Sequence, residues 1–162
     1  MRRALQRLNK SALAALFLFA LASAMAFSAG FETEKLVIRT KAGKEFPFTV
    51  ELAIAADQRQ QGLMNRDEMA ADKGMLFDFG ETRRIYMWMK NTYLPLDMLF
   101  IGPDGRIALV RADTMPLSEE IIDSRDPVRF VLELNAGTAQ KLGIAAGDMI
   151  ESGQIAASAK KP

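Results

Sequence analysis

The chain has 162 residues, with 21 Lys and Arg against 20 Asp and Glu, and it contains neither histidine nor cysteine. This composition excludes serine–histidine and cysteine–histidine nucleophilic sites, and it argues against zinc and other metals that need nitrogen or thiolate ligands. Acid–base chemistry would fall to carboxylates, lysine or tyrosine, and no disulfide can stabilise the fold.

Residues 1–26 predict a cleaved secretory signal peptide. Residues 1–10 carry four bases and no acid, and residues 12–27 form an apolar run of 16 residues interrupted only by Ser23. Ala24-Met25-Ala26 ends the run as an A-x-A-like cleavage signature. The run is shorter than the roughly 20 residues of a membrane-spanning helix, although an uncleaved membrane anchor remains the alternative. We expect a secreted, periplasmic protein that is cut after Ala26.

Removal of this leader reverses the sign of the net charge. The remaining 136 residues (162 less 26) carry 17 bases (21 less 4) and 20 acids, a net charge of −3. That length suits one domain with a single core. A mildly acidic chain gives no electrostatic reason to bind nucleic acid or an anionic membrane surface. We therefore expect no nucleic-acid partner and no stable membrane insertion after cleavage.

Short strands separated by turns dominate the rest of the chain. Phe46, Phe48, Val50 and Leu52 alternate with other residues, which is the period of a strand with one buried face. Pro103-Asp104-Gly105 is a hairpin signal. Further strands are predicted over residues 35–40, 75–79, 85–90, 96–101, 107–112, 128–134 and 149–151.

Two short helices are expected among these strands. One is a helix or turn over 57–64 capped by Asp57, and the other spans 136–142, with Asn135 as its N-cap and Gly143 just past its end. Residues 27–34 are expected to be a flexible lead-in, 35–151 a single β domain and 152–162 a disordered tail. The pattern predicts an all-β fold, a compact sandwich or barrel with one or two short helices.

Five motifs, in chain order, carry a family resemblance. They are Gly62-Leu63-Met64-x-Arg66, Gly74-Met75-Leu76-Phe77, residues 88–100, Val131-Leu132-Glu133-Leu134 with Ala136-Gly137, and Gly147-Asp148. Together they resemble the domain-of-unknown-function 192 family, found largely in bacterial and archaeal envelopes, over about residues 36–150. The resemblance implies a jelly-roll-like β-sandwich and no established activity, so it supplies no catalytic residues. Asn65 and Met87 stand where members often have an aromatic residue.

Asp97 is the first candidate site residue, because it is the lone carboxylate at the start of the apolar strand 96–101. On a strand it shares one face with Leu99 and Ile101. Lys90, across a short loop, and the N–H groups of that loop could partner this desolvated carboxylate. Two interpretations remain open: a ligand-binding or general-base carboxylate, or an aspartate that braces the Asn91-Thr92 loop.

Trp88, the only tryptophan, is the second candidate. Its ring could stack on a sugar or peptide while Lys90 and Asn91 orient the ligand, or it could be ordinary core. Arg66 could clamp a carboxylate ligand or pair internally with Asp97 or Asp72. Nearby Gly62 suggests a close backbone approach or a required turn. The candidate ligand-binding set is Asp97, Lys90, Asn91, Thr92, Trp88 and Arg66.

Methionines and paired carboxylates suggest two other kinds of site. Eight methionines beyond the leader offer thioethers for Cu(I). No histidine would complete such a site, however, and Met87 and Met89 fit core filling, so neither a metal nor a cofactor is expected.

Glu51, Asp97 and Glu133 could converge for glycoside hydrolysis, but the spacing of Glu133 from Arg129 fits a solvated face.

The expected function is binding, without catalysis, of a small-molecule, glycan or peptide ligand of the envelope. The alternatives are a carboxylate-dependent hydrolase of the glycoside type and a structural or partner-binding accessory protein. A hydrolase requires two carboxylates that face each other in an open cleft. A binding domain requires only aromatic and polar groups, and an accessory protein would expose an apolar patch.

Overall fold

The computed structural model describes residues 30–159, which form a mainly β domain. The mainly β class is therefore confirmed, with three short helices in these residues where one or two were expected. In chain order the elements are β1 (Glu32–Arg39), β2 (Glu45–Ala53), α1 (Ala56–Gln61), β3 (Lys73–Arg83), β4 (Tyr86–Met87), β5 (Leu96–Ile101), β6 (Ile107–Thr114), β7 (Ile122–Asp123), β8 (Val128–Asn135), α2 (Thr138–Leu142), β9 (Met149–Glu151) and α3 (Gly153–Ser158).

Seven strands form one curled sheet, a half-barrel, in the order β6-β5-β8-β3-β2-β1-β9. Neighbouring strands are antiparallel except for β2 and β3, which run parallel and are connected through α1. The two edges of the sheet approach each other where Arg106 bridges Met149 and where the Ile150 N–H donates to the Gly105 carbonyl at 2.8 Å. β4 and β7 pair separately as a two-stranded sheet.

The sheet separates two apolar cores. All seven strands contribute to one of them, which we call the inner core because it lies inside the curl. The opposite face of β3, β5 and β8 packs against residues 62–64 and 85–94, the cover segments, and forms the outer core. Strands buried on both faces need apolar residues at successive positions. This is why all six residues of β5 are buried.

Two expected irregular segments prove to be structured. β1 begins at Glu32, inside the expected lead-in 27–34, and α3 lies inside the expected disordered tail. The order of α3 has a physical cause: Ser152 accepts a hydrogen bond from the Ile155 N–H, and the Ile155 side chain is buried in the inner core. Residues 1–29 and 160–162 lie outside the described residues, so the leader and its cleavage after Ala26 stay predictions.

The predicted strand over 85–90 is too long. Only Tyr86 and Met87 pair as a strand, yet the predicted alternation of faces is correct, because Ile85 and Met89 are buried while Tyr86 and Trp88 are exposed. The side chains therefore alternate in and out along this cover segment although little of it is hydrogen-bonded as a sheet.

Both predicted helix caps are wrong, although Gly143 ends α2 in the left-handed conformation as expected. Ala55, not Asp57, precedes α1, and its N–H donates to the Gln58 side chain at 3.0 Å. Asn135 is the last residue of β8, and its side-chain amide donates to the Met69 carbonyl at 2.9 Å.

No helix within residues 30–159 is long and apolar enough to cross a membrane.

Candidate functional site

Asp97 is fully buried on the inner face of β5, where it braces α2. Its Oδ2 accepts the Ala139 N–H at 2.8 Å, and its Oδ1 accepts the N–H groups of Asp113 at 2.9 Å and Gly137 at 3.2 Å. The donors therefore come from β6 and the start of α2, and not from the Asn91-Thr92 loop as the bracing interpretation expected. With an exposed fraction of 0%, this carboxylate offers no surface to a ligand.

Arg66 pairs inside the protein, with Glu51 rather than with Asp97 or Asp72. Its two terminal nitrogens donate to the two carboxylate oxygens of Glu51 at 2.7 and 2.6 Å, a bidentate pair of the kind that fixes both side chains. The hydrogen bond to Glu51 raises the pKa of Arg66. Arg66 lines a cavity of about 410 Å³ that lies apart from Trp88, so the structure does not bring these two candidates together.

A smaller cleft of about 100 Å³ lies between the outer face of the sheet, α1 and the cover segments. We call it the Trp88 cleft. Four of the five motifs quoted above contribute to its lining, although they are far apart in the chain. Its lining includes Gly62, Met64, Phe77, Trp88, Thr92 and Glu133.

Gly62 shapes one wall of the Trp88 cleft by ending α1 with a positive φ of 48°. A Cβ at this position would lie 3.2 Å from Cζ of Phe77. The residue is therefore constrained twice, by a backbone conformation that L side chains rarely adopt and by the ring beneath it. Both features that the sequence suggested for Gly62, a turn and a close approach, are present.

Glu133 lines the Trp88 cleft from the outer face of β8 and is only 4% exposed. Met75 and Met98 lie directly opposite it on the neighbouring strands, so thioethers flank the carboxyl group on both sides. Burial raises its pKa from 4.5 to about 8, and burial is the sole cause. Within residues 30–159, no hydrogen bond or cation thus compensates this carboxyl group, which is mostly protonated at neutral pH.

The expectation that Glu133 points to solvent beside Arg129 is wrong. The cover segments lie over this face of β8, so a residue at position 133 is buried there. Arg129 instead donates two hydrogen bonds to Asp78, at 3.0 and 3.2 Å.

The three carboxylates considered for hydrolysis do not converge. Glu51 and Glu133 share a face of the sheet, but Met75 stands between them, which puts their strands about 10 Å apart. Glu51 is also occupied by Arg66, and Asp97 lies on the opposite face of the sheet. Among the described residues, Glu133 is the one carboxylate that lines the Trp88 cleft.

Trp88 and Thr92 line the cleft, and Lys90 and Asn91 follow Trp88 in the same cover segment. The Trp88 side chain is 43% exposed, and the Lys90 ammonium lies 5.3 Å from the centroid of its ring. Lys90 is also 3.8 Å from Glu119, so it does not partner Asp97. The carbonyl of Asn91 accepts the Asn65 N–H at 2.8 Å.

Arg59 was absent from the sequence-based set, yet it lines the cleft from α1. Its Nη1 donates to the Ile54 carbonyl and, at 3.1 Å, to the Asp78 carbonyl. Because Asp78 is three residues along β3 from Met75, the residue opposite Glu133, Arg59 is anchored about 10 Å from Glu133 along the strand. The cleft thus has a cationic end at Arg59 and an uncompensated carboxyl group at Glu133.

One signal in the sequence could have identified Glu133. It is the single charged residue in the apolar run Val131-Leu132-Glu133-Leu134, and a charge inside such a run needs a reason. Arg59 lies in a polar helix and carries no comparable signal.

Within residues 30–159, no group of three or more Asp or Glu side chains is placed to hold a metal ion.

Comparison with known proteins places the chain in a family. Residues 37–152 match the DUF192 family model, described as Uncharacterized ACR, COG1430. The crystal structure of a candidate transcription regulator from Sinorhizobium meliloti 1021 matches with 56% identity and a TM-score of 0.75, over 75% of this chain and 95% of that one.

A second crystal structure is of a protein of unknown function from Novosphingobium aromaticivorans DSM 12444. It matches with 32% identity and a TM-score of 0.73, over 80% of this chain and 91% of that one. Among curated proteins, no sequence matches this chain. Because the family model spans most of the chain and both solved relatives share the fold at substantial identity, this chain belongs to the DUF192 family.

Proposed function

We propose that this protein is an exported, periplasmic domain that binds a small envelope ligand in the Trp88 cleft without catalysing a reaction. One observation carries the proposal: the carboxyl group of Glu133, only 4% exposed, forms no hydrogen bond or ion pair within residues 30–159 and borders an aromatic-lined cleft. A buried polar group without a partner is costly to folding. Such a group in a cleft, with a strongly shifted pKa, is typical of a binding or active site.

The size of the cleft favours a small ligand or the end of a larger one. A cavity of about 150 Å³ can hold benzene, whereas the Trp88 cleft measures about 100 Å³. It therefore suits a head group or the tip of a side chain. The remainder of a larger envelope ligand would extend over the exposed rings of Tyr86 and Trp88.

Binding without chemistry fits the carboxylates better than hydrolysis does. A glycoside hydrolase places two carboxyl groups on opposite sides of the scissile bond. Among residues 30–159, no second carboxylate faces Glu133 across the cleft, because Glu51 pairs with Arg66 and Asp97 faces the inner core. Neither Glu51 nor Asp97 can therefore serve as the second carboxylate of a hydrolase.

The relative named as a candidate transcription regulator raises the question of nucleic-acid binding. The chain beyond the proposed leader carries a net charge of −3, whereas nucleic-acid binding requires a concentration of basic side chains. Six described arginines are also ion-paired with carboxylates; these are Arg39, Arg66, Arg83, Arg84, Arg106 and Arg129. These charges favour a small envelope ligand over DNA.

A thermal-shift screen of envelope sugars, peptides and small amines tests the proposal. A compound that binds only the folded state raises its melting temperature. The stabilisation should disappear in Trp88→Ala and persist in the matched control Tyr93→Ala, since Tyr93 is an exposed aromatic residue outside the cleft. Absence of any stabilising compound, or equal stabilisation of both variants, would contradict binding in the Trp88 cleft.

A further inference from the structure

We propose that the group recognised in the Trp88 cleft is an organic ammonium ion, held between the aromatic rings of the cleft and the Glu133 carboxylate. The inference rests on the proposed function and specifies its ligand chemistry. Ammonium groups occur on lysine side chains and on small amines such as choline. The chemistry they share is a positive charge on an alkylated nitrogen.

The first supporting observation is that, in the part of the chain that the structure describes, no cation pairs with Glu133. Its neighbours across the sheet, Met75 and Met98, carry no charge. Beyond Met75 lies Glu51, whose carboxylate is bound by Arg66. Beyond Met98 lies the exposed Arg111. A buried carboxylate is most strongly stabilised by a cation in direct contact. A ligand could therefore supply what the protein lacks.

The second observation is the aromatic lining. The faces of Trp, Tyr and Phe rings attract cations, and cages of such rings recognise alkylated ammonium groups. Phe77, Tyr86 and Trp88 all line the cleft. The ring of Trp88 already accepts an ammonium group in this structure, because Nζ of Lys90 lies 5.3 Å from its centroid. The cleft thus combines two elements that favour an ammonium ion.

Binding of a cation should release a proton. The pKa of Glu133 is about 8, so at neutral pH the incoming ammonium must replace the carboxyl proton, which passes to the buffer. If only the ionised form binds, the dissociation constant is about tenfold weaker at pH 7 than at pH 9, and about 100-fold weaker at pH 6.

Other charged and titratable groups face Glu133 from the surrounding elements. Tyr86 on β4 and Arg59 on α1 line the same cleft. Arg59 is anchored about 10 Å away along the strand. The ion pair between Arg66 and Glu51, which is two strands away on β2, contributes no net charge. Glu133 is therefore the group expected to govern the pH dependence below pH 9.

The experiment uses fluorescence of Trp88, the only tryptophan, with titration calorimetry as a second readout. The probes are choline and its neutral isostere 3,3-dimethylbutan-1-ol, which differ in charge but not in shape. A second pair, the N-acetyl amides of lysine and norleucine, tests a peptide side chain as the source of the ammonium group. All titrations run at constant ionic strength between pH 6 and pH 9.

We expect at least one cationic probe to bind tenfold or more tightly than its neutral partner at pH 9, and the preferred pair identifies the source. In Glu133→Gln, the pH dependence of binding should disappear and the affinity for the cationic probe should fall at least tenfold. Glu120→Gln, which removes an exposed carboxylate outside the cleft, should behave as wild type. If Glu133→Gln does not fold, the isostere pairs and the wild-type pH profile still decide.

Equal binding of the neutral isosteres would overturn the proposal. So would an affinity that falls as pH rises, because that sign indicates a protonated Glu133 that donates to the ligand. Failure of both cationic probes would do the same. If another compound then stabilises the protein in a Trp88-dependent manner, the ligand class is wrong and binding in the cleft stands.

Discussion

The Asp97 carboxylate accepts the backbone N–H of Ala139 at 2.8 Å and thereby joins β5 to the first turn of α2. A carboxylate at the start of a helix satisfies free N–H groups and opposes the positive end of the helix dipole. Ala139 is itself buried in the inner core. The bond therefore fixes a short helix, which would be unstable alone, where its apolar side can pack.

Asp97→Asn should destabilise the domain by about 2–3 kcal/mol. Three backbone N–H groups donate to this carboxylate, whereas an amide has one accepting oxygen and would leave at least one donor unpaired. Urea unfolding measures the change. Asp113→Asn, an exposed position with a φ of 52°, is the matched control and should be nearly neutral, since asparagine tolerates this conformation. If the free energy of unfolding of Asp97→Asn equals that of the wild type, Asp97 does not brace α2.

Glu133→Gln should change how stability depends on pH. The pKa of Glu133 is raised from 4.5 to about 8, so between these values the folded state holds a proton that the unfolded state has lost. The wild-type free energy of unfolding should therefore fall as pH rises from about 4.5 to about 8, and then level off. Glutamine does not titrate, so the variant should be more stable at pH 9 by an amount on the order of 5 kcal/mol.

Thermal unfolding across pH 5–9 checks this prediction, with Glu120→Gln as the control for removal of an exposed carboxylate. The control should follow the wild-type curve. Parallel curves for wild type and Glu133→Gln would show that Glu133 has an ordinary pKa, which would remove the main support for the proposed site.

Gly74→Ala should destabilise the protein by about 2–3 kcal/mol through overpacking. A Cβ at this position would lie 2.6 Å from the Glu133 carbonyl oxygen and 2.7 Å from Cδ2 of Leu134. Relief requires β3 and β8 to move apart beside the cleft. Gly30→Ala is the control, because nothing lies within 4 Å of its added methyl group. Chemical denaturation compares the two, and equal stabilities would contradict the close approach.

Mass spectrometry of the exported protein tests the leader. We expect Phe27 as the first residue, because Ala24-Met25-Ala26 supplies the small residues that cleavage requires. Ala26→Phe should block cleavage, whereas Phe27→Leu should leave it intact. Recovery of an uncleaved wild-type chain that begins at Met1 in the membrane fraction would support the anchor and contradict export of a free domain.

Patterns confined to a few neighbouring residues predicted the structure well. The assignment of Leu99 and Ile101 to one face of β5, and of its other apolar residues to the opposite face, holds because side-chain alternation is a local property of a strand. The burial of Ile85 and Met89 was predictable for the same reason. The faces of these two segments could thus be derived from the sequence.

Features that depend on distant segments could not be derived in this way. Glu133 was placed on a solvated face because its periodicity does not show that residues 85–94 cover β8. Asp97 was expected to brace the nearest loop, but its donors lie 16 to 42 residues away along the chain. The structured α3 depends on Ile155 reaching the inner core. Each of these wrong predictions concerns a tertiary contact that a local sequence pattern does not reveal.

The position of β1 in the sheet has a consequence for the timing of folding. β1 pairs both with β2 and with β9, near the opposite end of the domain. Contacts between residues so far apart in sequence form slowly and late, and the sheet cannot be completed until residue 151 has emerged from the ribosome. For a protein that is exported as we propose, the sheet of the nascent chain would thus remain incompletely folded, and accessible to the export machinery, until residue 151 has been synthesised.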